Sequence, residues 1–550
     1  MINPLLIPFN TKFNSIPFEK IKLKHFKPAF EEAIKIGKQE IELLKNNPES
    51  PTFLNTIEKL ERSGKLLDTI SNIFFNLNSA ETCDEMQALA QELSPMLTAY
   101  SNEILLDEIL FKRILAVYQN KNSEKHTAEQ LMLLEETYLS YVDNGANLNA
   151  EAKEELKKIN TELSTLSLKF GENVLKDSNA FELFVDNETD LQGLPEDVKE
   201  AAKITAKSKG KENSWCFTLD YPSYIPFMQY AENRELRKKM FLAYGSRAFK
   251  NNDFNNENIL QKISELRLKK AKLLGFASHA EKTLKRRMAE NTEKVTKLLN
   301  ELVKFAKPIA KNEISEITEL SKKLNGPEKL ERWDFSFYSE KLKKEKFDID
   351  DEILKPYFQL EKVLEGVFLT AKKLYGIKFI ENTDIQKYHK DIVTYEVLDE
   401  NDRHLALFYA DFFPRKGKRN GAWMTSFKGQ NKYDGIEQRP HVSIVCNFTK
   451  PTEKKPSLLT FNEVTTLFHE FGHSLHGIFA DGYYESLSGT SVFWDFVELP
   501  SQLMENWCYE KECLDLFAIH YVTNEPIPIE LVQKIKDSAN YLVQFRGEDK

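Results

Sequence analysis

The string His469-Glu470-Phe471-Gly472-His473 holds the residues most suited to chemistry. On a helix, side chains four residues apart stand one turn above each other, so the two imidazoles can offer nitrogens to a single zinc ion. Glu470 lies about 100° round the helix from His469, where its carboxylate can reach a metal-bound water and act as general base. With 10 His and 85 Asp+Glu in 550 residues, chance composition gives about 0.03 such patterns. An ordinary buried helix that carries two histidines would show the same apolar neighbours, Leu467, Phe468, Phe471, Leu475 and Ile478. A metal site also needs a rigid, shielded helix, so the two readings are compatible.

Catalytic zinc takes three protein ligands and keeps a position open for water. The downstream segment SGTSVFWDFVELPSQLMENW offers Asp495, Glu498 and Glu505. Glu498, 25 residues after His473 among Phe496, Val497, Leu499 and Leu503, is the expected third ligand. A carboxylate buried in such company is costly unless it meets a cation or a donor. Asp495 and Glu505 fall three before and seven after it, near its helical face. Either could hydrogen-bond a zinc-bound histidine, or serve as an ordinary helix-end or surface carboxylate. His476 shares the face of His469 and could belong to the site or to the packing.

These residues need elements to hold them. From Phe18 to about 176 apolar residues recur at three- and four-residue spacing, predicting helices broken at Asn46-Asn47-Pro48 and Asp143-Asn144-Gly145, with no fixed-period repeat. An irregular, partly β stretch at 180–225, with Gly193, Pro195, Gly210, Pro222 and Pro226, supplies a soft boundary. It separates an N-terminal helical region, 1–215, from a catalytic region, 216–550. Helical periodicity returns at 234–323. LALFYADFF (405–413) and HVSIVCNF (441–448) read as two strands, the second with Val442, Ile444, Cys446 and Phe448 on one face. The expected fold class is mainly α with a small β-sheet near the active site.

Composition narrows the function. The net charge of −9, with both signs interspersed, gives no basic patch for nucleic acid, and KLKKEK (341–346) reads as solvated helix surface. A mean hydropathy of −0.48 and no apolar run of about 18 residues argue against a membrane span. MINPLLIPFN lacks a basic start and is interrupted by Pro4 and Pro8, so a cytoplasmic location is expected. Cys83, Cys216, Cys446, Cys508 and Cys513 form no CxxC pair and read as reduced thiols.

LLTFNEVTTLFHEFGHSLHGIF (458–479), followed by SLSGT, DFVELPSQ and MENW, resembles the M3 family of zinc oligopeptidases, which includes oligopeptidase A, peptidyl-dipeptidase Dcp, thimet oligopeptidase and neurolysin. IPFEKIKLKHFKPAFEEAI, LRLKKAKLLGF, FYADFFPRKGKRNGAWM and VSIVCNFTKPT extend the resemblance over nearly the whole chain. It implies one Zn2+ per chain on His469, His473 and Glu498, with Glu470 as general base. It also implies a two-lobed, neurolysin-like zincin fold with a deep central channel, walled in part by the N-terminal region. Substrates would be short unstructured peptides, cut by a peptidyl-dipeptidase or an oligopeptidase acting as a monomer. Gly421 and Ala422 fall in what resembles the family's substrate-flanking loop, although Gly421 could equally be a turn glycine. After NEPIPIELVQKIKDSANY the chain runs LVQFRGEDK, unlike the family's continuation towards a His- and Tyr-bearing loop. The expectation there is a missing C-terminal part, with zinc and peptide binding retained and cleavage impaired. A non-catalytic peptide-binding derivative and a different HExxH hydrolase, such as a metallocarboxypeptidase, are the competing readings.

Overall fold

The computed structural model describes residues 2–123, 125–539 and 541, so the LVQFRGEDK tail lies outside the described residues. Helices dominate, and the N-terminal ones form where the periodicity places them. Phe26–Lys45 buries Phe26, Ala29, Phe30, Ala33, Gly37, Ile41 and Leu44, a three/four spacing that makes one apolar stripe. It packs with Lys65–Ala80 and Asp84–Leu105 around Ile70, Ile73, Phe74, Ala90 and Leu93. The 31-residue helix Ala150–Ala180 starts at Asn149, whose side chain accepts from the Ala152 N–H.

The irregular boundary region is more ordered than its glycines and prolines predict. Strand β1 (Leu183–Val185) pairs antiparallel with β2 (Trp215–Phe217), and helix Glu196–Ser208 lies between them in the chain. Pro222 opens helix Tyr221–Tyr230 instead of breaking structure. A first-turn proline gives up no helical hydrogen bond, and its fixed φ suits the start.

Five further strands form one mixed sheet: β3 (Lys378–Glu381), β4 (Val393–Leu398), β5 (His404–Asp411), β6 (Trp423–Lys428) and β7 (His441–Val445). Their spatial order is β3-β4-β5-β7-β6, antiparallel except for the parallel β5–β7 pair, so β6 is an edge strand. The sequence predicts only β5 and β7. Alternation along β5 sends Ala406, Phe408 and Ala410 to one face and Leu407 and Tyr409 to the other. The first face meets helix Leu360–Tyr375 and helix Phe461–Ile478, hereafter the motif helix, in a core that includes Val367, Val442, Ile444, Leu467 and Phe471. The second face meets the N-terminal helices through Phe74 and Phe427. Each large apolar side chain buried in these layers contributes about 1.5–3 kcal/mol. The architecture is mainly α with a small sheet beside the motif helix, and among the described residues no helix is long and apolar enough to cross a membrane.

Candidate metal centre and active site

The motif helix is fixed at both ends. At its start the Thr460 hydroxyl accepts from the Glu463 N–H and the Glu463 carboxylate accepts from the Thr460 N–H in a capping box, and Glu463 also accepts from the Thr449 N–H at 2.7 Å, tying the helix to the segment after β7. At its end the Arg439 guanidinium donates to the Ile478 and Ala480 carbonyls at 2.8 and 3.0 Å and to the Leu405 carbonyl of β5. Both ends of the helix are thereby tied to the sheet and its following segment.

Gly472, inside the motif, decides what can approach. A Cβ there would stand 2.5 Å from the Pro500 carbonyl oxygen and 2.6 Å from Ser501 Cα. Only glycine lets helix Glu498–Glu505 come this close. The approach brings Glu498 Oε2 to 3.2 Å from the Nε2 atoms of both His469 and His473, while Ser501 Oγ donates to the same Oε2 at 2.7 Å. Glu505 Oε1 lies 2.7 Å from His469 Nδ1. A carboxylate can only accept, so Nδ1 carries the proton and Nε2 keeps its lone pair for the centre.

The donor set fits a tetrahedral metal. Ligands about 2.0–2.1 Å from a zinc ion stand about 3.3 Å from each other. The three donor atoms here lie within 4.8 Å of one another, with both nitrogens 3.2 Å from the shared carboxylate oxygen. Glu498 is half-exposed, as are Leu499 and Leu503, which corrects the expected apolar burial around it. The segment forms the solvent side of the site, where a carboxylate costs little. Its convergence on the histidines, not its burial, marks it.

Glu470 lies on the protected side, 5% exposed. Burial, reinforced by the Glu498 charge, pushes its carboxyl up to about 7 against the pull of His469 and a hydrogen bond from the Met424 N–H of β6. One of its oxygens, Oε2, is buried without a hydrogen-bond partner. The Glu505 hydrogen bond raises the His469 pKa, and burial lowers that of His473.

The chain is similar to known proteins over nearly its whole length. Residues 227–545 match peptidase family M3. The chain is 38% identical over 539 residues to dipeptidyl carboxypeptidase of Escherichia coli, covering 98% of this chain and 79% of that one. It is 36% identical over 547 residues to Escherichia coli oligopeptidase A, covering 98% and 80%. The chain belongs to peptidase family M3. It is a metallopeptidase.

In this M3 peptidase the other residues singled out in the sequence take separate places. Asp495 accepts from the Met288 and Ala289 N–H groups at 3.0 and 2.9 Å, so it anchors that segment and contacts neither histidine of the trio. His476 stays outside the converging trio, its Nδ1 buried without a hydrogen-bond partner. Gly421 has φ +97, a conformation favouring glycine, and its carbonyl accepts from Asn447 Nδ2 at 2.7 Å. Ala422, next to it, packs against the core that contains the motif helix and leads into β6.

Sequence reasoning passed over Gly472, Met424 and a buried ion cluster. Asp411, ending β5, receives Arg415 through two nitrogens at 2.6 and 2.7 Å, Lys418 Nζ at 2.8 Å and the Tyr388 hydroxyl at 2.8 Å. This cluster folds the loop that carries Gly421. The visible signal was the crowding of Asp411, Arg415 and Lys418 around Gly417 in one short loop; Met424 acts through its backbone and left no signal.

Proposed function

We propose that this chain hydrolyses peptide bonds in short, unstructured peptides, with His469, His473 and Glu498 holding one zinc ion and Glu470 as general base. The convergence of these three donors beside a buried, partly unpaired carboxylate supports the reading. When bound, zinc supplies Lewis acidity towards water and the scissile carbonyl. Glu470 accepts the proton of the attacking water and returns it to the leaving amine, steps for which a carboxyl held near neutrality is well matched. The Met424 N–H faces the Glu470 carboxylate and favours its charged form, and Glu505 holds the ring and tautomer of His469. An extended peptide would add to the edge of β6, near Gly421 and Ala422, with its backbone groups paired. Folded proteins cannot present such a strand.

Relatives named dipeptidyl carboxypeptidase and oligopeptidase A match at 38% and 36% identity, so the activity is read as one of these two. On this reading the chain acts as a monomer on peptides in the cytoplasm. Product analysis by mass spectrometry on an unblocked peptide and its C-terminally amidated twin separates the two activities. Dipeptides released only from the free C-terminus identify a peptidyl-dipeptidase; internal cuts insensitive to amidation identify an oligopeptidase. Zinc and peptide binding without products would replace catalysis by the impaired, binding-only alternative.

A further inference from the structure

The free edge of β6 is not open along its whole length. In an antiparallel edge strand alternate residues turn both backbone groups towards the partner or both away. The Met424 N–H lies towards the Glu470 carboxylate, and two residues on the Ser426 carbonyl accepts from Asn76 Nδ2 at 3.0 Å. Both therefore face away from β7, and Met424 and Ser426 are the outward positions of this part of the strand. Asn76 belongs to helix Lys65–Ala80 of the N-terminal region, packed on the sheet face opposite the motif helix. Its side chain is oriented by the Thr425 hydroxyl, which donates to Oδ1 at 2.7 Å. Beyond Ser426, the Gly429 carbonyl is taken by Gln438 Nε2 at 2.8 Å, and Lys428 Nζ donates to the Asn14 carbonyl at 3.1 Å.

We propose that Asn76 is a specificity-determining residue that ends the pairing edge of β6 just past Met424, limiting how many substrate residues can pair on that side of the reacting carbonyl. The proposal rests on the peptidase reading of this site and adds what sets substrate length. One chain segment, the N-terminal helices, thereby helps define which peptides the catalytic region accepts. Asn76 touches no reacting atom. It acts by occupying a carbonyl that a substrate N–H would otherwise take.

The test uses the full-length, zinc-loaded Glu470→Gln protein, so that bound peptides are not consumed. Labelled oligo-alanine peptides of about three to nine residues, lengthened in turn at either end, report affinity by fluorescence anisotropy. With Asn76 present, affinity rises with length and then levels off. Asn76→Ala moves that plateau outward by about two residues at one end, the period of a strand. It also tightens the longest peptides about 3- to 10-fold, the worth of one or two backbone hydrogen bonds. Asn76→Asp keeps an acceptor for Thr425 but cannot donate to Ser426, and it shifts the plateau in the same direction. With Glu470 restored, the change appears in KM and leaves kcat nearly constant. An unchanged plateau in both variants at full zinc content overturns the proposal. Absence of binding at every length overturns the peptidase reading and this inference with it.

Discussion

The base role proposed for Glu470 depends on where the fold puts its carboxyl. Burial raises its carboxyl to about 7 in the metal-free protein. A divalent cation on the neighbouring ligands favours the charged form, so zinc should lower that value. The acid limb of kcat/KM should therefore lie below 7, while the metal-free protein titrates Glu470 near 7 by infrared or NMR spectroscopy. An acid limb above 7 would contradict this assignment. At Glu505 the expected effect is on the metal: Glu505→Ala frees the His469 ring and should weaken zinc binding about 10- to 100-fold in chelator competition. The histidine pair was legible in the sequence because helix spacing is a local rule. Asp495 was not, since its partners Met288 and Ala289 lie over 200 residues away and are backbone groups. Glu498 is legible from its helix-compatible place 25 residues after His473, although the apolar burial expected around it is absent.

At the level of elements, the close crossing of the motif helix and helix Glu498–Glu505 makes the site. Gly472→Ala places a methyl 2.5 Å from the Pro500 carbonyl oxygen, against backbone that cannot yield cheaply. It should cost about 1–3 kcal/mol of stability by chemical denaturation and reduce bound zinc, as the third ligand is pushed from the histidines. Unchanged stability and zinc content would show that the crossing is looser than described. Helices and the two apolar strands β5 and β7 were readable because their periodicity is local. Strand β6 (Trp423–Lys428) is hard to read because it starts at the end of the Gly-containing stretch RKGKRNGAWM, and its pairing with β7 comes from a later segment. Pro222 misled in the other direction, since a proline read as a breaker is also the residue best suited to a helix start.

Across the whole molecule, the sheet is a shared wall. One face carries the motif helix, and the other is covered by the N-terminal helices. The loop after β5 clamps the two sides: its Arg415 donates to the Ala80 carbonyl and pairs with Glu81, the Gly417 carbonyl accepts from the Thr82 N–H at 2.7 Å, and the Arg419 N–H reaches Ser79. Asp411, fully buried, neutralises Arg415 and the equally buried Lys418 at its centre. Asp411→Asn leaves the buried Lys418 without a carboxylate partner and Arg415 with Glu81 alone, and should cost about 3–5 kcal/mol in urea unfolding, with the loop before β6 loosened as well. A variant of near wild-type stability would contradict the clamp. Such long-range clamps leave little trace in sequence periodicity, which is why the joint between the loop after β5 and the N-terminal helices is not legible in the sequence.

Glu470, beside a zinc ion on His469, His473 and Glu498, is the proposed base that takes the proton of the attacking water. The most direct measurement compares the wild-type chain with Glu470→Gln on one short fluorogenic peptide, with zinc content determined on the same samples. The account predicts one zinc per chain in both proteins, turnover by the wild type that a chelator abolishes, and a fall of about 10²- to 10⁴-fold or more in the variant. Wild-type turnover by the zinc-loaded variant would contradict it.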